Sequence, residues 1–394
     1  MPRGTPEAAR ALLETFQHLA NSKGTGADQV EIREFMHGSN KIRGLGAVAK
    51  IQQGTAVVKI PGEYAIAAKD VTGERFDGGQ TKSVMDEKTK LGLWLAEKKN
   101  EWLDHPAHKL TPRERYWRDA INAYPTLDDY KSRGVPLAAP EEDLKGLASV
   151  PTIGMAGRWA SGAHKRLAVA QEMYNSAVQR APGDGHAALK WEDVLWGRTL
   201  ASTGSFGVPG MCGGGTVAPV ADLVNHSDNF NAYFDCDDAT GELQIISVRD
   251  IQPGEEVTIA YKDEAPALFQ YYGIVEHVGA PQYLSDAACY AIRDAHLEQG
   301  TSPVLKTAEK FAEMVCAATP PKAAAGASAA GPVLANRATE APVAVPLPKI
   351  AVAKLSPLLA LLQPMTLLPS RALSGGLLWR RSGAACPASR TDFM

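Results

Sequence analysis

The chain is 394 residues long, with a net charge of −3, 45% hydrophobic residues and 22% charged residues. That balance supports a buried core and either two domains or one domain carrying a large insertion. A near-neutral chain without a basic stripe argues against direct DNA or RNA binding. The five cysteines, Cys212, Cys236, Cys289, Cys316 and Cys386, contain no CxxC pair. Neither a zinc site nor a disulfide framework is expected from such spacing, and a reducing compartment follows. The amino terminus has no apolar leader, and the apolar stretch at 358–368 is broken by Pro364 and too short to cross a bilayer. The expectation is an intracellular protein in the cytoplasm, the nucleus or a plastid, with no membrane partner.

Residues 7–20 place Ala, Leu and Phe at helical spacing and predict an amphipathic helix. A loop at 21–28 leads to short strands at 30–32 and within 47–60, with a turn at Gly54 and a stop at Pro61. From residue 83 to about 206 the pattern is helical, with stretches around Leu91–Leu95, at 162–179 and from Lys190 onward. The Lys and Glu run at 97–101 reads as a solvated helix face, and the tryptophans of this region read as core. Strand patterns return at 230–234, 243–248 and 256–260, separated by turns at Ala239-Thr240-Gly241 and Pro253-Gly254. A further helix is expected at 307–316. Residues 320–394, rich in Ala, Pro and Leu with little charge, read as disordered.

The chemistry concentrates after Ala218. Asp222-Leu223-Val224-Asn225-His226-Ser227 is followed by Gly254-Glu255-Glu256, a strand ending in Tyr261, and Tyr272-Gly273. In that order and spacing these motifs resemble the carboxy-terminal half of a SET domain. The likeness is to the Rubisco large-subunit methyltransferase-like group, in which a helical insert splits that domain. KIRGLGAVAKIQQGTAVVKI at 41–60 resembles the opening strand pair, with Gly44-Leu45-Gly46 as its GxG turn, and 196–206 resembles the end of the insert. The resemblance covers about 30–276.

It implies an α+β fold, a knotted set of small β-sheets with a mainly helical insertion, a short C-terminal helix and a disordered tail. The implied organisation is an N-terminal helix and linker (1–29), the first SET half (30–68), the insert (69–205), the second half (206–276), a helical remnant (277–319) and the tail (320–394). The implied activity is S-adenosyl-L-methionine-dependent N-methylation of lysine in an unidentified, non-histone protein, with no metal.

The residue types suit that chemistry. Displacement at a sulfonium depends on alignment and electrostatics, and a lysine amine of ordinary pKa about 10.4 must first lose its proton. Gly44, Leu45 and Gly46 would let backbone approach the cofactor. Asn225 offers an amide to its amino-acid end, and the resemblance implies backbone contacts from His226 near the adenine. Tyr261 is the catalytic candidate and also a cofactor contact. Phe206, Asp222, Tyr272 and Ile274 are placed at the substrate channel, where aromatic faces favour a methylammonium, with Asp222 supporting the site from just behind.

Three departures stand out. Thr203-Gly204 occupies the place of a Ser-Arg pair, Ile274 replaces an aromatic, and no helical docking domain is evident after residue 276. They keep open a catalytically weakened protein-interaction module, and a histidine in place of lysine as acceptor. A hydrolase is disfavoured because no GxSxG elbow is present. Gly213-Gly214-Gly215 lacks the Lys-Ser or Lys-Thr of a phosphate loop and reads as a flexible loop.

Overall fold

A computed structural model of the chain describes residues 3–19, 24–37, 40–77, 85–149, 154–207, 212–237, 239–262, 265–275 and 302–316. The expected tail at 320–394, Cys289 and Cys386 lie outside the described residues. All described residues belong to one unit, 1–327.

Helix α1 (Pro6–Leu19) buries Ala8, Ala9, Leu12, Leu13 and Phe16 along one stripe, as its period requires. It is followed by the antiparallel hairpin β1 (Val30–His37) and β2 (Asn40–Ala47), in which Val30 faces Ala47. Strand β3 (Ala56–Ile60) belongs to a different sheet. The GxG segment is therefore not a turn: Gly44 and Gly46 lie inside β2, opposite Arg33 and Glu31. The pairing instead ends with His37 facing Asn40, where β1 ends and β2 begins.

Strand β4 (Ile66–Ala67) precedes the helical block. The block contains α2 (Glu74–Asp77), α3 (Glu87–Asp104), α4 (Pro112–Ala123), α5 (Leu127–Ser132), α6 (Glu141–Ser149), α7 (Gly154–Arg180) and α8 (Trp191–Thr203). Local chemistry starts several of these helices. Asp86 caps α3 by accepting from the Thr89 N–H, and Thr111 with Glu114 and Thr126 with Asp129 form capping boxes on α4 and α5. Trp102, Trp117 and Trp196 are core residues. The Lys-Glu run on α3 departs from its reading as a solvated face. Glu97 is only 5% exposed, accepts from Arg75 Nε at 2.7 Å and from the Tyr174 hydroxyl at 2.5 Å, and Lys99 pairs with Asp193. Helix α3 is packed on more than one side, so its charges are spent on neighbouring helices.

After the block come β5 (Ser205–Phe206), β6 (Thr216–Val217), β7 (Asn225–His226), β8 (Ala232–Asp237), β9 (Glu242–Ser247), β10 (Thr258–Ile259), α9 (Ala265–Tyr272) and α10 (Pro303–Cys316). The strands form small sheets: β1-β2, β3-β9-β8, β4-β6-β5, and β7 parallel to β10. The fold is thus α+β, small sheets interrupted by helices. One core cluster runs from α1 through the sheets into α3, α4 and α8, and a second joins α6, α7, α9 and α10 through Leu144, Leu147, Phe269 and Phe311.

Cys212 and Cys236 form a disulfide across a Cα separation of 5.5 Å, against the sequence expectation of none. The two lie 24 residues apart in the chain, and only the folding of the loop before β6 against β8 makes them neighbours. Among the described residues, no helix is long and apolar enough to cross a membrane.

Helices α3 and α8 cross closely at Gly92 and Gly197. A Cβ on Gly92 would stand 2.7 Å from Arg198 Cα, and one on Gly197 would overlap the Gly92 carbonyl oxygen. Gly197→Ala is expected to force these helices apart, costing about 1–3 kcal/mol. A fall of several degrees in the thermal midpoint checks this, and an unchanged midpoint would mean that the crossing tolerates a methyl group.

Candidate active site

The segment 254–261 assembles the site. Pro253-Gly254 makes a turn with Gly254 at φ 80°, a conformation suited to glycine. The chain then pairs on one side with β2: the Gly254 N–H donates to the Ala47 carbonyl (2.7 Å), the Ala47 N–H to Glu255 (2.9 Å), and the Val257 N–H to Leu45 (2.8 Å). On its other side β10 runs parallel to β7, with Thr258 beside Asn225 and Ile259 beside His226. Three motifs far apart in sequence therefore lie on one seam: Gly44-Leu45-Gly46, Asn225-His226, and the approach to Tyr261.

Asn231, unnoticed in the sequence, holds that seam. It is 1% exposed, its Oδ1 accepts from the Thr258 N–H (2.9 Å), and its Nδ2 donates to the Glu256 carbonyl (2.7 Å). A buried side-chain amide that satisfies backbone groups in this way takes the place of missing ladder bonds.

Gly44 faces the centre of the site. A Cβ there would stand 2.5 Å from Glu256 Oε1 and 2.7 Å from Asn225 Nδ2. Asn225 Nδ2 donates both to Glu256 Oε1 (2.7 Å) and to the Arg43 carbonyl (2.8 Å), and Glu256 Oε2 is 2.8 Å from His37 Nε2. Glu256 is a second residue that the sequence reading passed over. Its place in the GEE motif was visible, but nothing in the motif said that its side chain would turn toward Gly44.

Tyr261 is fastened at both ends. Its backbone N–H donates to His226 Nδ1 (3.1 Å), which makes Nε2 the protonated nitrogen of a neutral His226 ring. Its hydroxyl donates to the Val224 carbonyl (2.6 Å). The Tyr261 ring lies 4.8 Å from that of Tyr272 and 5.5 Å from that of His226. Burial, with Tyr272 and Asp222 adding to it, raises the Tyr261 hydroxyl far above the usual tyrosine range, so it stays protonated. Burial and Tyr271 raise Tyr272 to about 12. Phe206 packs edge-on against Phe234 at 5.2 Å, on the β8 side. Ile274 follows α9 and is half-buried beyond Tyr272.

Asp222 lies behind the seam, on a turn entered through a strained residue. Val220 has φ 76°, rare for a β-branched side chain and costing about 1–3 kcal/mol. The preceding Pro219 carbonyl accepts from the buried Tyr116 hydroxyl (2.9 Å). The Asp222 carboxyl and the Tyr124 hydroxyl are both buried and face each other. Burial lifts the Asp222 carboxyl to about 7, while Tyr124 and Arg43 pull it back down. Arg43 is itself lowered by burial and by Arg133. The neighbouring Tyr130 is raised to about 12 by burial, against the opposing pull of Thr203, and its hydroxyl accepts from Thr203 Oγ1 (3.3 Å). Thr203 therefore touches a buried group formed by Tyr130, Arg43 and Asp222.

The family model of the SET domain matches residues 43–262. Among solved structures, similar chains include the SET domain of LSMT bound to lysine and AdoHcy (16% identity, TM-score 0.46, 67% of this chain and 57% of that one). Rubisco LSMT bound to AdoMet has 16% identity and a TM-score of 0.48, covering 69% and 57%. Rubisco LSMT bound to sinefungin and monomethyllysine has 17% identity and a TM-score of 0.48, covering 68% and 57%. The chain thus spans less than two thirds of the length of these relatives. Comparison with curated protein sequences gives no match.

A raised carboxyl pKa stabilises the fold in its protonated form. That contribution is full below the unfolded value near 3.8 and is lost as pH rises through about 7. Asp222→Asn is therefore expected to flatten the stability profile between those pH values and to gain on the parent as pH rises. Urea midpoints across pH 4–8 check this; parallel profiles would rule out Asp222 as the titrating group.

Proposed function

The chain belongs to the SET-domain family, and on that premise we propose that it transfers a methyl group from S-adenosylmethionine to the ε-amine of a lysine in a protein. The observation that carries this reading is the convergence of Gly44–Gly46, Asn225-His226 and Tyr261 on the seam held by residues 254–261.

The residues present fit such a cofactor. A cationic ligand is favoured by carboxylates, and the seam offers Glu256, with the buried Asp222 carboxyl behind it. Asn225, with both Nδ2 hydrogens engaged, offers its Oδ1 as an acceptor, and Arg43 brings a guanidinium for a carboxylate. When bound, S-adenosylmethionine supplies an electrophilic methyl carbon on its sulfonium.

The remaining work belongs to the side chains. Tyr261 cannot serve as the base, because its hydroxyl is held protonated and already donates to the Val224 carbonyl. It orients: its oxygen lone pairs and the nearby carbonyls favour an ammonium or methyl group without carrying a full charge. The Tyr261 and Tyr272 rings exclude water, which favours the neutral amine over the ammonium ion. Phe206 faces lysine chemistry better than histidine chemistry, since an aromatic wall suits a flexible alkyl amine. Gly204, in place of an arginine, favours a second reading, a SET-like module that binds a protein partner without turnover.

Tyr261→Phe is expected to lower methyl transfer about 100-fold or more while leaving the melting transition intact, because only a hydroxyl is lost. Near-normal turnover of that variant on bulk protein substrate would end its catalytic assignment. Asn225→Ala should weaken calorimetric binding of S-adenosylmethionine about 10- to 100-fold, through the lost amide bonds and the Glu256 oxygen left unpaired. Unchanged affinity would remove Asn225 from the cofactor site.

A further inference from the structure

Each aromatic assigned to the channel has a chain neighbour in one cationic cluster: Ser205 beside Phe206, Lys262 beside Tyr261, and Tyr271 beside Tyr272. Lys88, in the first turn of α3, donates to Ser205 Oγ. Lys262 Nζ lies over the Tyr271 ring, 5.8 Å from its centroid. Arg198, on α8, is 6% exposed and donates to Ser202 Oγ. Its counter-ion is Asp86 at the rim, 3.7 Å away.

The loop at 213–215 runs along this cluster. A Cβ on Gly215 would stand 3.6 Å from both Lys88 Nζ and Ser205 Oγ. Gly213 packs on the Lys69 stem, Gly214 on the Glu87 carboxylate and Gly215 beside Lys88 Nζ, in a defined turn.

Cations outnumber the carboxylates that act on Lys88 in this cluster. Burial, and then Arg198 and Lys262, lower Lys88 to about 8. Arg198 is lowered by burial and by Arg166, against the pull of Asp86 and Tyr271. The carboxylates acting on Lys88, Asp86 and Glu87, sit at the outer edge of the group. Concentrating like charge next to a binding channel costs stability, and an incoming anion relieves it.

We propose that Lys88 and Lys262, backed by the buried Arg198, form an acidic-flank recognition site, so that the preferred substrate is a protein segment carrying aspartate or glutamate beside the target lysine. This rests on the lysine-methyltransferase reading for the placement of the channel. The cluster attracts the flanking carboxylates, and it repels lysines set in basic sequence.

The test separates recognition from turnover. Fluorescein-labelled peptides with one central lysine and either acidic or uncharged flanks are titrated with the full chain in the presence of S-adenosylhomocysteine, and anisotropy is read. The acidic peptide is expected to bind about tenfold tighter at low salt. The advantage should shrink as added salt shortens the screening length to about 10 Å. Lys262→Glu should abolish it, and Lys88→Met should reduce it, with calorimetric affinity for S-adenosylmethionine unchanged. Equal affinity for the two peptides, or a preference that survives Lys262→Glu, overturns the proposal. Methyl transfer to the same peptides is scored separately. An acidic preference in binding without transfer upholds the recognition site and counts against the enzyme reading; transfer without an acidic preference does the reverse.

Discussion

The double pairing of residues 254–261 is the constraint on which the site depends. Residues 254–257 hydrogen-bond to β2 on one side, and Thr258 and Ile259 lie parallel to β7 on the other. The strands are only two residues long at β7 and β10, too short to hold register by themselves. Asn231 compensates by filling the backbone valences of Glu256 and Thr258 from a nearly sealed position. Once that seam is in place, Gly44, Asn225 and Tyr261 have little freedom of position.

Close approach is the second recurring device. Gly44 admits the Glu256 and Asn225 side chains against β2, and Gly92 with Gly197 lets two insert helices cross at backbone contact. The second crossing carries Arg198, and beyond the helix end it leads to Ser205 and Phe206. Packing within the helical insert thus sets the position of the strand that bears Phe206. The insert is a structural part of the site as well as an interruption of it.

Charge is handled differently on the two sides of the site. On the seam side, the Asp222 carboxyl is buried and raised to about 7, and Glu256 is held by Asn225 and His37. Around Lys88 and Arg198, cations are gathered with Asp86 and Glu87 at the outer edge. Tyr261 lies between, held neutral by burial and pinned by a carbonyl. A neutral hydroxyl suits a reaction in which charge passes from sulfonium to amine without a permanent ionic partner.

Much of this was legible in sequence. The amphipathic stripe of α1, the helical block, the tryptophan core and the turns at Gly54, 239–241 and 253–254 follow from periodicity and local backbone preference, which act over a few residues. The DLVNHS and GEE motifs and Tyr261 were recognisable because their order and spacing are themselves sequence properties. Pairing partners were not legible. The GxG segment reads as a turn until β1 is seen to pair with β2 along its length. Glu97 reads as solvated until Arg75 and Tyr174 arrive from other helices. Cys212 and Cys236 look unrelated until the loop before β6 folds against β8. Glu256, Asn231 and the Lys88–Arg198–Lys262 cluster likewise emerge only from long-range contacts. The sequence by itself determined the elements and the chemical vocabulary of the site, because those depend on short-range periodicity and residue type. The tertiary structure alone decided which charges are buried, which are paired and which face one another, because desolvation and hydrogen bonding depend on neighbours that the chain brings from far away.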